Sequence, residues 1–249
     1  MNLNPVSTIT KREFLTLITS PLASVFLVIF LFGAGLMTFQ FSRFFTENSE
    51  ASLIYFFSYH PWLYLFLVPA IGMNLWAEEK RGGTIELLLT FPISPWHAII
   101  GKFIATWAFI ALALALTFPY VYMIQSLGDP DMGPIITGYI GSFLMAGTYL
   151  AITSLTSALT RDPIISFIIA FVACFVLILA GFPPITEFLS EDLSCPSWIV
   201  RLVSGFSFMT HFEMLQRGLV TLRDIAFFIT TIAFFLFATS FVIRSQRAG

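Results

Sequence analysis

The sequence predicts an all-α polytopic membrane protein with six transmembrane helices, and three observations carry that prediction. The 249-residue chain is 57% hydrophobic and only 10% charged, with a mean hydropathy of +0.89. A soluble domain carries roughly 25% charged residues, so this chain has too little polar surface to cover a water-soluble globule and needs lipid around it. Six apolar windows also approach the roughly 20 residues that a helix needs to cross a hydrocarbon core of about 30 Å; they fall at 22–41, 60–77, 102–125, 135–159, 164–182 and 224–243. Finally, the basic residues are distributed unequally between the two sets of connections. With the N-terminus inside, the inner face receives Lys11, Arg12, Lys80, Arg81, Lys102, Arg161, Arg244 and Arg247. The outer face receives Arg43, Arg201, Arg217 and Arg223. That is the expected cytoplasmic bias, and an even number of spans then puts both termini in the cytoplasm. The near-neutral net charge of −2 gives no case for nucleic acid.

Residues 5–20 precede the first span. Val6, Phe14, Leu17 and Ile18 fall on one side of a helical wheel, and Thr8, Arg12, Thr16 and Thr19 on the other, with Ile9 and Lys11 spoiling the pattern. Such a segment reads either as a helix lying along the inner membrane surface with its bases toward headgroups, or as an ordinary positively charged flank. Pro21 marks the corner into the first apolar run. Because that run continues to Phe41, it reads as an uncleaved anchor rather than a signal peptide.

Between the second and third spans, residues 78–98 do not behave like a plain connection. Charge clusters at Glu78, Glu79, Lys80 and Arg81. Gly82-Gly83 stops the outgoing helix. Thr84 is placed to cap a short helix that ends before Pro92. Ile85, Leu88 and Leu89 are apolar, with Glu86 among them. A short stiff helix with this face either rests on lipid or is covered by a soluble partner, and the residues alone leave both open.

The remaining connections have local causes. Gly128-Asp129-Pro130-Asp131 and Gly133-Pro134 form a tight turn between spans three and four, and Arg161-Asp162-Pro163 a shorter one between spans four and five. Pro163 fits the first turn of a helix, where its missing N–H costs nothing. Pro183-Pro184 stops span five. The stretch from 183 to 217 is then mixed: Trp198 to Met209 is apolar but too short to cross alone, which fits an external helical hairpin partly embedded in the outer leaflet. His211 and Glu213 close it, but a spacing of two does not place them on one helical face.

No catalytic constellation stands out. There is no P-loop, so the chain itself does not hydrolyse ATP. His60, His97 and His211 read as loop residues on both sides of the membrane. No His/Cys cluster has metal-ligand spacing, and Cys174 and Cys195 are too few for a disulfide framework. The spans read as nearly free of the mid-depth ionisable groups that ion-coupled carriers need, so the energy for any transport has to come from a partner.

The run Glu78-Glu79-Lys80-Arg81-Gly82-Gly83-Thr84-Ile85-Glu86-Leu87-Leu88-Leu89-Thr90-Phe91-Pro92-Ile93-Ser94, followed by Gly101-Lys102, resembles the signature loop of ABC-2-type transporter permeases. The surface helix, the six spans and the outer hairpin agree with it over essentially the whole chain. The segments 60–66 and 206–213 resemble the gliding-motility-type (GldF-like) subgroup. The resemblance implies a single transmembrane domain, in the bacterial cytoplasmic (inner) membrane, that pairs with a second permease copy. Each copy would engage a dimeric cytoplasmic ABC ATPase, which binds the ATP and Mg, with no cofactor on this chain. Glu78, Glu79, Lys80, Arg81, Gly82, Gly83, Thr84, Ile85, Glu86, Leu88, Leu89 and Pro92 would form the ATPase-coupling surface. Helix 5–20, with Lys11, Arg12 and Phe14, would be the elbow helix beside it. For the GldF-like subgroup it further implies a membrane-anchored partner with a large external domain. The function implied is an export permease. The alternative is a mechanotransmission subunit that moves an external partner with no substrate crossing. An intramembrane enzyme would need polar catalytic groups at matched depth.

Overall fold

The computed structural model describes residues 5–41, 52–84, 94–182 and 204–247, together with positions 184, 185, 187 and 198. All the regular secondary structure among them is helical. The elements are α1 (Pro5–Ile18), α2 (Pro21–Leu36), α3 (Ile54–Ser58), α4 (His60–Gly72), α5 (Asn74–Arg81), α6 (Pro95–Ala115), α7 (Phe118–Leu127), α8 (Met132–Leu159), α9 (Pro163–Leu179), α10 (Phe208–Gln216) and α11 (Leu222–Arg247). A π-helical turn, Met37–Phe41, prolongs α2.

The helix starts follow from sequence chemistry. Ser20 accepts from the Ala23 N–H, and Pro21 occupies the first turn, so the chain turns sharply between α1 and α2. Asp131 accepts from the Gly133 N–H at 2.9 Å. Asp162 accepts from the Ile164 and Ile165 N–H groups at 2.8 and 3.3 Å, ahead of Pro163.

Helix α8 is the axis of the molecule. It contacts α3, α4, α5, α6, α9, α10 and α11, and 72% of its most apolar window is buried. Small residues let this many neighbours approach closely. A Cβ added at Gly138 would lie 2.5 Å from Phe57, and one at Gly147 would lie 2.8 Å from Trp107. The core around α8 is aromatic: Tyr64, Trp76, Phe109, Tyr149, Phe208, Phe212 and Phe228 are all essentially inaccessible. The opposite faces of α2, α9 and α11 expose Val28, Phe32, Ile164, Ile168, Phe234, Phe237 and Phe241. Apolar exterior and aromatic interior together give the chain the pattern of a lipid-embedded bundle, and we describe it as a multi-pass membrane protein.

Among the described residues, four helical stretches are long and apolar enough to cross a membrane: Pro21–Phe39, Pro95–Ser126, Met132–Leu159 and Leu222–Ser245. The other two expected spans differ. The apolar helix at Pro163–Leu179 has only 17 residues. The expected span 60–77 is divided at Met73 into α4 and α5. Pro69 inside α4 removes one rung of the ladder, and a side chain from α8 enters the next turn, as described below. The third expected span also starts earlier, at Pro95 rather than 102, and its helix is interrupted at Leu116–Thr117, just before Pro119.

Candidate functional site at the root of the 82–94 loop

The charged run Glu78–Arg81 lies at the end of α5, where α1, α5 and α6 meet. The C-terminus of α5 is closed by Gly82 and Gly83, whose N–H groups bond to the Glu78 and Lys80 carbonyls respectively. Gly83 follows at φ +68°, a left-handed conformation that a Cβ disfavours. The Thr84 hydroxyl donates back to the Glu79 carbonyl at 3.3 Å. These three residues turn the chain out of the bundle. Ile85, Glu86, Leu88, Leu89 and Pro92 lie outside the described residues, as do most of residues 183–203 of the expected hairpin 183–217.

Beneath this exit sits an ion cluster. Lys102, on the second turn of α6, is 5% exposed. Its ammonium donates to the Leu75 carbonyl at 3.0 Å and to Glu79 Oε1 at 2.8 Å, lies 3.8 Å from Glu13 Oε2, and sits 5.2 Å above the Trp76 ring. Glu13 in turn accepts from Arg12 at 2.6 Å. One buried cation thereby fastens α5 to α6 and draws in α1. Sequence reading placed Lys102 in a basic connection and the spans as nearly charge-free; the structure instead buries it within a helix. That is affordable because two carboxylates and a carbonyl surround it.

Helix α1 lies against α6 over Gly101. The Thr10 hydroxyl donates to the Gly101 carbonyl at 3.3 Å, and a Cβ on Gly101 would fall 2.7 Å from Ile9 Cγ2. Phe14 packs against the core, whereas Lys11 and Arg12 are exposed. Between α1, α5 and α6 a cavity of about 370 Å³ is lined by Glu13, Ser20, Asn74, Glu78, Glu79 and Lys102, among others. On the other flank of α5, Lys80 donates to the Ala158 carbonyl. Of the sequence-predicted residues, Glu79 and Lys80 make cross-helix bonds, while Glu78 and Arg81 are exposed.

Sequence reasoning missed Glu13, Trp76, Ser154 and Ser157. The signal available was the i, i+3 spacing of Ser154 and Ser157 on one face of a helix, which a purely apolar count of that span hides.

Two further polar clusters lie elsewhere. His60 Nδ1 and the Tyr64 hydroxyl meet Ser142 Oγ at 2.7 and 2.8 Å. His211 pairs with Asp224, not Glu213: Nδ1 is 2.6 Å from Asp224 Oδ1 and Nε2 donates to the Gly205 carbonyl at 3.1 Å, with the ring stacked on Phe227. Thr221 also bonds to Asp224. His60, His97 and His211 are all helical, not loop residues. Each His-centred cluster ties helices together, and neither forms a catalytic constellation with the other.

Compared with known proteins, residues 36–243 match the family model described as ABC-2 family transporter protein. No curated protein matches the chain.

Proposed function

The chain belongs to the ABC-2 family of transporter proteins, and from that premise we propose that it is the permease subunit of an ATP-driven exporter whose ATPase is a separate, cytoplasmic dimer. The observation that carries this reading is the Glu13–Lys102–Glu79 cluster beneath the 82–94 loop. A loop that only rested on lipid would not need its root fixed to three helices. A loop that receives force does, because displacement passes into the bundle only through a stiff attachment. Residues 85–92 then form the coupling helix, with Ile85, Leu88 and Leu89 covered on docking and Glu86 oriented toward the partner. Helix α1 is the elbow helix. In this arrangement the chain makes six passes: α3–α5 together form the second, and α9 the fifth, its short length accommodated by local thinning of the bilayer or by flanking residues. Both termini are cytoplasmic, the membrane is the bacterial inner membrane, and a second copy completes the transporter. The GldF-like likeness adds a membrane-anchored partner with a large external domain. If no substrate crosses, the same coupling drives that partner mechanically.

Affinity purification of the tagged chain from its own membranes tests the reading. A P-loop ATPase accompanies the wild type. Glu86→Arg and Gly83→Ala leave the helices folded but return the ATPase to the turnover it shows without this chain. Gly83→Ala costs about 1–2 kcal/mol locally, because its Cβ enters a left-handed conformation. Wild-type turnover in both variants contradicts the assignment. Vesicle transport with and without the external partner separates export from mechanical work.

A further inference from the structure

The break at Met73 is filled by a side chain from another helix. In an unbroken helix the Trp76 N–H would bond to Gly72 and the Ala77 N–H to Met73. Here both N–H groups donate to Ser157 Oγ, each at 3.0 Å, and that hydroxyl donates to the Met73 carbonyl at 2.7 Å. One hydroxyl supplies two acceptor sites and one donor, so Ser157 takes the place of the missing rung for both N–H groups and for the Met73 carbonyl. A side chain inserted into the ladder is a recognised cause of a helix kink.

The neighbours of Ser157 extend the clamp. The Trp76 indole N–H donates to Ser154 Oγ at 3.1 Å, and Lys80 donates to the Ala158 carbonyl. One face of α5 is thus bonded along the last turns of α8. Toward α4, by contrast, the backbone connection runs through the interrupted turn at Met73. At the far end of α8, the Thr137 hydroxyl donates to the Leu215 carbonyl of α10 at 2.7 Å. A Cβ on Gly141 would lie 3.0 Å from Leu215. Helix α8 has 28 residues, or about 42 Å at 1.5 Å per residue, and is bonded at one end to α5 and at the other to α10.

We propose that Ser157 is a positioning residue that makes α5 move with α8 rather than with α4. Displacement of the 82–94 loop then reaches α10 through α8. This rests on the coupling assignment above and deepens it: the fourth crossing, not the second, carries the stroke.

The test uses the full complex with its ATPase, reconstituted in lipid, with Cys195→Ser and spin labels at Tyr122→Cys and Met214→Cys, both on exposed positions of α7 and α10. Nucleotide trapping shifts the 122–214 distance in this otherwise unaltered protein. Ser157→Ala loses the shift while ATPase binding and ATP turnover persist, and Ser157→Thr, which keeps the hydroxyl, restores it. Ser154→Ala, which removes only the indole contact, reduces the shift and serves if Ser157→Ala fails to fold. An unchanged shift in the Ser157→Ala or Ser154→Ala complex overturns the proposal alone. Absence of a co-purifying ATPase in the parent protein overturns the coupling assignment and this proposal with it.

Discussion

Lys102 shows how a single side chain can set the geometry of a site. Its side chain is 6% exposed and that of Glu79 is 23% exposed, so the pair is screened only in part and its loss is felt. Lys102→Met strands the Leu75 carbonyl and the Glu79 carboxylate, and we expect a loss of about 2 kcal/mol after allowing for water at Glu79. Thermal unfolding in detergent or lipid reads this as a lowered midpoint. The double change Lys102→Met with Glu79→Gln costs less than the sum of the single changes, because the two groups share one interaction. Additive costs would mean that the ion pair does not couple α5 to α6. Gly82 and Gly83 were readable as a helix stop from sequence, but the division of labour between them was not. Gly82 keeps an ordinary right-handed backbone at φ −81°, and only Gly83, at +68°, needs to be glycine. The burial of Lys102 was likewise illegible: both carboxylates that meet it come from other helices, Glu79 from α5 and Glu13 from α1.

At the scale of elements, the seating of α1 on α6 depends on the absence of a side chain at Gly101. Gly101→Val would drive atoms into Ile9, whose Cγ2 lies 2.7 Å from where the first carbon would be. Overpacking of this kind costs about 1–3 kcal/mol, and α1 can relieve it by lifting away. With Thr10→Cys as reporter, maleimide labelling should therefore rise by about tenfold in the Gly101→Val background. Unchanged labelling would mean that α1 is held by the ion cluster alone. Sequence periodicity suggested a moderately amphipathic helix over this stretch, and a helix spans Pro5–Ile18. What periodicity could not supply was the docking surface, since Gly101 reads simply as the end of a loop. The break at Met73 was hidden for a related reason. Pro69 is visible in the sequence, but the hydroxyl that satisfies the opened turn comes from Ser157, 84 positions away. The pairing of His211 with Asp224 rather than Glu213 is a third instance, because a buried histidine takes the partner that the next helix brings to it.

For the whole molecule, an all-helical membrane bundle was legible from composition and window length, since both depend on the bilayer rather than on tertiary contacts. The number of uninterrupted crossings was not. Among the described residues four helical stretches are long and apolar enough to cross, and the two departures occur where a proline and a foreign hydroxyl divide α4 from α5 and where α9 runs short. The central place of α8 was also hidden, because its Gly, Ser, Thr and Ala residues lower its apparent hydropathy while making it the helix that others can approach. In the proposed mechanism the molecule is driven from one end: force would enter at residues 82–94, be held by the Glu13–Lys102–Glu79 cluster, and travel along α8 to α10. The most direct measurement places a photo-crosslinking side chain at position 86 in intact membranes. The account predicts an adduct with a soluble P-loop ATPase, formed on the cytoplasmic side. A residue 86 that labels from the exterior of intact cells, or that crosslinks only to lipid while the ATPase is present, would contradict it.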